Sequence, residues 1–154
     1  MAAKGNSLTR IGADVVRKVR LGDLLEPYKE LNVDGKFPVA AVGRYGIRLR
    51  DEIYSKELSK DTSKNRLIFK GTLTVGMGSK QIDIGILSED KSYAVSPAYH
   101  TYRINGVDFD YLRYCLEARN SDMSKRYMIA SCRQGKTIDF KSWLDYEIPV
   151  HEER

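Results

Sequence analysis

RLIFKGTLTVGMGSKQIDIGIL, residues 66–87, has the clearest strand pattern in the chain. Residues 66–75 and 81–87 each alternate and are rich in Ile, Leu, Val, Thr and Phe, the residue types that fit a pleated, half-buried surface. The segment GMGSK at 76–80 has the length and the glycines of a hairpin loop. We therefore predict a β-hairpin with its tip at residues 76–80.

Further strands are predicted on both sides of this hairpin. Residues 37–42 form a compact apolar run, which is typical of a buried strand. Residues 93–95 and 99–104 also have strand patterns, and they are separated at Pro97 because proline cannot donate to a sheet ladder. A last strand is predicted over residues 144–150.

Helices are predicted near both ends of the chain. Ser7 is a candidate N-cap for a helix over residues 8–19, whose apolar side chains recur at helical spacing. Asp108 is the candidate N-cap of a helix that extends to Asn120, and a second helical stretch follows at 123–130. The fold class is therefore α+β: a curved, mostly antiparallel sheet with an N-terminal helix and two helices in the C-terminal half, in a single domain.

The composition is that of an ordinary globular protein. The chain has 154 residues, of which 42% are hydrophobic and 31% are charged, and this excludes a disordered or collagen-like chain. No apolar run approaches the ~20 residues that a membrane helix requires. Residues 1–8 lack the apolar stretch of a secretory signal, and two cysteines do not make a disulfide framework. We therefore expect a cytoplasmic protein with no membrane partner.

The positive charge is concentrated in three segments. The formal net charge is +5, and residues 1–20 contain five basic residues and one acid. Residues 44–66 contain seven basic residues and four acids, and residues 123–141 contain five and one. This distribution is compatible with a nucleic-acid partner, but a normal mixed surface explains the charge alone equally well.

Signals of catalysis are weak. Residues 76–80 resemble a phosphate-binding loop, but they lack the Gly-x4-Gly-Lys spacing and precede a strand rather than a helix. Asp83, Glu89 and Lys91 are the residue types of a divalent-metal nuclease site. Because residues 88–92 have the composition of a turn, solvated turn charges explain them better. The two histidines and two cysteines lack metal-ligand spacing, so we predict no catalytic residue, metal or cofactor.

Three polar, basic loops have the side chains of a DNA reader, although each loop alone is also typical of a solvated surface. Arginine matches the O6 and N7 atoms of guanine, glutamine matches adenine, and both cationic residue types neutralise phosphates. The candidate DNA-binding residues are Arg44, Tyr45 and Arg48 in the first loop, Ser79, Lys80 and Gln81 in the second, and Arg133, Gln134 and Lys136 in the third. Those at the loop tips are expected to read bases, whereas Lys136 is expected to bind all sequences about equally. The candidates for contacts with phosphates are Lys64, Arg66 and Arg126.

Several short motifs resemble, in their order, a known protein family. Along the chain they are VGRYGI (42–47), SKDTSK (59–64), LIFKGTL (67–73), AVSPAYHTY (94–102) and WLDYEIPV (143–150). Together they resemble one target recognition domain of the specificity subunit of a type I restriction–modification enzyme. The most specific part is Val-Ser-Pro-Ala-Tyr with the downstream Ile-Pro-Val. Within these motifs and beside them, Tyr99, Phe140 and Trp143 are expected to be core residues.

The resemblance implies a non-catalytic DNA-binding module. Residues 21–154 would be the recognition domain and residues 1–20 a basic helix or arm, while the family's C-terminal spacer helix would begin about where the chain stops. In this family each recognition domain reads half of a bipartite site. The implied partners are double-stranded DNA, DNA adenine methyltransferase (modification) subunits, the restriction subunit and a second half-specificity chain. No cofactor is implied, because S-adenosylmethionine belongs to the modification subunits.

Two other functions stay open at this level. One is a divalent-metal nuclease that uses Asp83, Glu89 and Lys91. The other is a truncated decoy that occupies a modification subunit without reading DNA.

Overall fold

The computed structural model describes residues 8–11, 14–44, 46–49, 62–130 and 136–151. The strands in these ranges are β1 (Leu8–Ile11), β2 (Asp14–Arg20), β3 (Leu25–Pro27), β4 (Ala40–Gly43), β5 (Gly46–Leu49), β6 (Arg66–Ile68), β7 (Thr72–Met77), β8 (Ile82–Leu87), β9 (Tyr93–Val95), β10 (His100–Ile104), β11 (Met128–Ala130), β12 (Lys136–Ile138) and β13 (Glu147–His151). The helices are α1 (Leu21–Leu24), α2 (Phe109–Tyr127) and α3 (Phe140–Trp143). No helix in the described ranges combines the length and the apolar character needed to cross a membrane.

The predicted hairpin lies in the larger of the two main sheets. Strands β3, β10, β7 and β8 pair in that order, so β8 is an edge strand. Strands β1, β2 and β13 form the second sheet, and three two-stranded ribbons join β4 to β5, β6 to β9 and β11 to β12. All these pairings are antiparallel, and the predicted antiparallel α+β class is confirmed. The curvature of the sheet stays a prediction.

One face of the β7–β8 hairpin lies in the main apolar core. Leu73 pairs with Ile86 and Val75 pairs with Ile84, so these side chains share a face. Leu73 and Val75 are fully buried, as is Trp143, which was expected in the core. Helix α2 and α3 close this cluster. Burial of each large aliphatic side chain stabilises the fold by about 1.5–3 kcal/mol, so this layer dominates stability.

The opposite face of the hairpin packs against the β4–β5 ribbon. Gly85 lies on this face, and a Cβ added to it would lie 2.6 Å from Cγ1 of Ile47 and 3.3 Å from Cγ1 of Val42. Gly76, on the same face, is covered by the ring of Tyr99. The two glycines therefore allow a second layer to approach the backbone of the hairpin closely.

Helix α2 covers the outer edge of β8 with side-chain hydrogen bonds. Nδ2 of Asn120 donates to the carbonyl of Ile82 (2.8 Å), and the amide of Ile82 donates to Oγ of Ser124 (3.0 Å). At the other end of β8, Nη2 of Arg113 donates to the carbonyl of Ile86 (3.1 Å). Since a bare strand edge can pair with other chains, these bonds protect the edge and fix β8 to the helix.

The start of α2 agrees with the prediction, but its end does not. The carboxylate of Asp108 accepts a hydrogen bond from the amide of Tyr111 (2.9 Å), which confirms the N-cap. The helix then continues to Tyr127 without the expected interruption. Residues 128–130, predicted as helical, form β11 and pair with β12, because tertiary pairing overrides their local propensity.

The predicted N-terminal helix is wrong. Residues 8–11 and 14–20 form strands, and β2 pairs with β13 from Arg20 opposite Glu147 to Val16 opposite His151. The cluster of β-branched valines in this segment suits a strand better than a helix. Its partner strand lies at the other end of the sequence, so the local spacing of apolar residues could not show it.

Three strand boundaries also differ from the prediction. Of the run 37–42, regular pairing begins only at Ala40, since Pro38 cannot donate to a ladder. The run 66–75 is divided into β6 and β7 near Gly71, whose φ of 89° breaks the extended backbone. The last strand begins at Glu147, after the turn that follows α3.

Candidate nucleic-acid interface

The tip of the β7–β8 hairpin lies beside the C-terminal end of α2. The amide of Gly78 donates to the carbonyl of Gln81 (2.9 Å) and closes the tip. Ser79 and Lys80 are exposed, whereas Gln81 is partly buried. The next residue, Ile82, is hydrogen-bonded to α2 as described above, and these bonds hold the base of the tip in place.

The tip of the β4–β5 ribbon points towards the same end of β8. Ala40 packs in a small apolar cluster with Leu87, at the C-terminal end of β8. Val42 packs instead against Gly85, in the middle of that strand. The ribbon therefore runs towards the start of β8, and its turn contains the exposed Arg44. Two of the three predicted loops are thus brought to one end of the sheet.

Arg44 and Gln81 line a common groove of about 760 Å³ along the outer edge of β8. Helix α2 forms one wall of this groove and β5 the other. The charged side chains on its walls are Arg44, Lys91 and Arg113 together with Glu89 and Glu117. An arginine and a glutamine therefore line the same space, and the side chains of both residue types can make paired hydrogen bonds to base edges.

The β11–β12 ribbon follows directly after the C-terminal end of α2, next to the β7–β8 tip. The amide of Asp139 donates to the carbonyl of Tyr127 (2.8 Å), which closes the base of the β11–β12 ribbon. Strand β12 lies against β7. Its connecting loop, with Arg133 and Gln134, falls outside the described residues, as does Tyr45 in the first loop. Of Lys136 only the main chain is described.

Two of the candidate phosphate contacts lie near the β6–β9 ribbon rather than in the groove. Lys64 is exposed in the turn before β6. Arg66 pairs with Val95 and lies close to His100, where burial and then the charge of Arg66 lower the pKa of the imidazole. Arg48, a candidate base contact, is exposed in β5.

Arg126 lies on a different side of α2 from the groove. Its Nε is 3.2 Å from Oδ2 of Asp122, and its guanidinium lies over the ring of Tyr146, 5.8 Å from the centroid. At 100° per residue, position 126 is on the opposite side of the helix from Asn120 and Ser124, which bind the edge of β8. The structure therefore does not bring Arg126 together with Arg44 and Gln81.

Asp83, which the sequence suggested only as a metal ligand, lies near the hairpin tip. It lies in β8 opposite Gly76, on the face that packs against the β4–β5 ribbon. A Cβ added to Gly78 would lie 2.7 Å from both carboxylate oxygens of Asp83, so the carboxylate lies against the tip of the hairpin. Burial raises the pKa of this carboxyl above its ordinary value. The sequence signal for this position is an acid that follows closely after the glycines of the predicted hairpin loop.

The geometry gives no support to a phosphate-binding loop or to a divalent-metal nuclease site. Residues 76–80 connect two strands, so no helix N-terminus converges on a phosphate there. Nζ of Lys91 lies 4.0 Å from Oε1 of Glu89 in an exposed turn, as expected for solvated charges. In the part of the chain that the structure describes, no three His, Cys, Asp or Glu side chains are grouped so as to hold a metal ion.

The fold is similar to that of a solved specificity (S) subunit. The S subunit of a type I restriction–modification system from M. genitalium matches with a TM-score of 0.53 and 16% identity, over 98% of this chain and 36% of that one. The HsdS subunit from Thermoanaerobacter tengcongensis matches with a TM-score of 0.45 and 15% identity, over 93% of this chain and 36% of that one. This chain thus spans about a third of the length of either subunit. At such identities the likeness concerns the fold alone. No family model and no curated protein sequence matches.

Proposed function

We propose that this chain is a sequence-specific double-stranded DNA-binding module of a type I restriction–modification system, reading half of a bipartite site. The observation that carries the proposal is the meeting of Arg44 and Gln81 at one groove beside the hairpin tips. A duplex can be read by several loops only if they project from the same side of a scaffold. The β4–β5 and β7–β8 tips meet this requirement, because they lie at the same end of the sheet.

The fold supports the same proposal from a second direction. The sequence motifs resemble a target recognition domain, and the M. genitalium S subunit shares the fold over nearly the whole of this chain. As a module of this kind, the chain binds DNA without catalysing a reaction. Modification and restriction subunits, and a second half-specificity chain, are the partners that the resemblance implies.

The proposed interface consists of the tips of the β4–β5 ribbon, the β7–β8 hairpin and the β11–β12 ribbon. Arg44, Arg48 and Gln81 are assigned to base edges, and Lys80 to phosphates, because a lysine on an exposed tip acts as a point charge. Tyr45, Ser79, Arg133, Gln134 and Lys136 belong to the same three loops. Lys64 and Arg66 are proposed as outlying phosphate contacts, and Arg126 is left out of the interface because of its position on α2.

Selection from a randomised duplex pool tests the proposal. The purified chain is incubated with the pool at low salt, and the bound duplexes are sequenced and then titrated by fluorescence anisotropy. We expect one short motif to be enriched, and log Kd to rise linearly with log salt concentration as phosphate counterions are released. An unenriched pool, or an affinity that does not change with salt, would contradict the proposal. In a parallel assay the chain is incubated with plasmid DNA and magnesium, and nicking of the plasmid would favour the nuclease function instead.

A further inference from the structure

The half-buried carboxylate of Asp83, at the tip of the β7–β8 hairpin, has no partner among the residues that the structure describes. No described residue donates a hydrogen bond to it or pairs with its charge, and burial is the only cause of its raised pKa. Cations are close in sequence, since Lys80 is three residues away, but none of them neutralises it. Partial burial of an unpaired carboxylate costs free energy, and neither oxygen is fully buried, so a donor from outside the chain can bond to it.

The backbone around Asp83 holds the carboxylate in place. The residue on its N-terminal side, Ile82, is bonded through both its amide and its carbonyl to α2. Across the ladder is Gly76, which is covered by Tyr99, and at the tip Gly78 leaves just enough room for both carboxylate oxygens. A fixed acceptor, unlike a carboxylate on a mobile loop, can discriminate between hydrogen-bonding partners.

Asp83 is two residues from Gln81, which lies in the bend just before β8. Gln81 lines the groove together with Arg44. Asp83 itself lies beside this groove, with its carboxylate at the hairpin tip next to Gly78. An acid at such a tip repels phosphates and lowers affinity for DNA of any sequence. It is favourable only where a donor faces it, and the donors on the major-groove edges of base pairs are the exocyclic amines of cytosine and adenine.

We propose that Asp83 is a specificity-determining residue, whose carboxylate accepts a hydrogen bond from the exocyclic amine of one base in the target. This inference rests on the proposed function. It adds to that function a fixed anionic acceptor among the cationic tips, which opposes binding to unmatched DNA and permits binding where cytosine N4 or adenine N6 is presented.

The test compares Asp83→Asn and Asp83→Ala with the wild-type chain, using Asp90→Asn as the control. Asp90 is an exposed acid in the turn between β8 and β9, so its loss changes the net charge equally without touching the hairpin tip. Each protein is used in duplex selection, and its binding to a random-sequence duplex is measured by anisotropy at several salt concentrations. Hydrogen exchange of the Ile82 amide verifies that each variant is folded.

We expect both Asp83 variants to lose the preference at a single base pair, by on the order of tenfold, while the other positions of the motif stay selected. Their affinity for random-sequence duplex should rise above that of Asp90→Asn, and the salt slope should not change because no phosphate contact is lost. Unchanged preferences at every position in both variants would overturn the role of Asp83 and leave the proposed function intact. A wild-type chain that selects no motif would overturn the proposed function, and this inference with it.

Discussion

The ring of Tyr99 lies so close to Gly76 that a Cβ on the glycine would be 2.4 Å from Cδ1 of the tyrosine. The hydroxyl of Tyr99 donates to the carbonyl of Val42 (3.1 Å) and accepts from the amide of the same residue (3.2 Å). One side chain therefore joins the β7–β8 hairpin to the β4–β5 ribbon. This contact, together with the packing of Ile47 against Gly85, sets the relative position of Arg44 and Gln81, on which the proposed interface depends.

Replacement of Gly76 by alanine should separate the two hairpins. The added methyl group forces the Tyr99 ring away, and overpacking of this kind costs about 1–3 kcal/mol. We expect urea denaturation to show this loss in the free energy of unfolding. Gly43→Ala is the matched control, because a Cβ at Gly43 meets nothing within 4 Å. Equal stabilities for the two variants would contradict the close contact.

Removal of the Ser124 hydroxyl should loosen the edge of β8 at its tip end. The amide of Ile82 then loses its acceptor, and Oδ1 of Asn120 loses the hydrogen bond that Ser124 donates (2.7 Å). We expect Ser124→Ala to cost about 1–3 kcal/mol and the Ile82 amide to exchange faster with solvent. Ser121→Ala, on an exposed position of α2, should change neither quantity. Unaltered protection of Ile82 in the Ser124 variant would refute the edge contact.

The raised pKa of Asp83 predicts how one substitution responds to pH. Burial raises the pKa of this carboxyl in the folded protein, so its ionised form opposes folding. That cost is fully present above the folded pKa, and it disappears as the pH falls below the pKa of the unfolded chain. Asp83→Asn should therefore raise Tm at pH 7, and the gain should shrink as the carboxyl becomes protonated. Thermal unfolding from pH 7 down to acidic pH measures it, and a gain that is the same at every pH would argue against a buried charge.

The parts of the fold that the sequence predicts correctly are those that depend on residues close together in the chain. The N-cap at Asp108 and the hairpin around residues 76–80 depend on neighbours within a few positions. Strand β2 was missed because β13, its partner, is at the far end of the chain. The candidate loops could be chosen by their chemistry, but their meeting at one groove depends on two glycines and Tyr99, whose packing no local pattern reveals.

Two arginines on different sides of the molecule provide a matched test of the interface. Arg44 lines the groove beside Gln81, whereas Arg126 pairs with Asp122 on the far side of α2. If Arg44 reads a base edge, Arg44→Ala should weaken binding to the selected duplex by about 1–3 kcal/mol and relax the preference at one position.

Arg126→Ala removes the same charge from a surface that the proposed interface leaves out, so it should weaken binding to the selected duplex far less than Arg44→Ala does. Because both variants lower the net charge by one, any difference between them reflects position rather than overall electrostatics. Lys80→Ala tests for a phosphate contact. Loss of such a contact should weaken binding to all duplexes alike and reduce the salt slope by about one. Anisotropy titrations of the three variants against selected and random duplexes measure these effects. Equal losses from Arg44→Ala and Arg126→Ala would mean that the protein attracts DNA by its charge alone, and that the groove beside β8 reads no base.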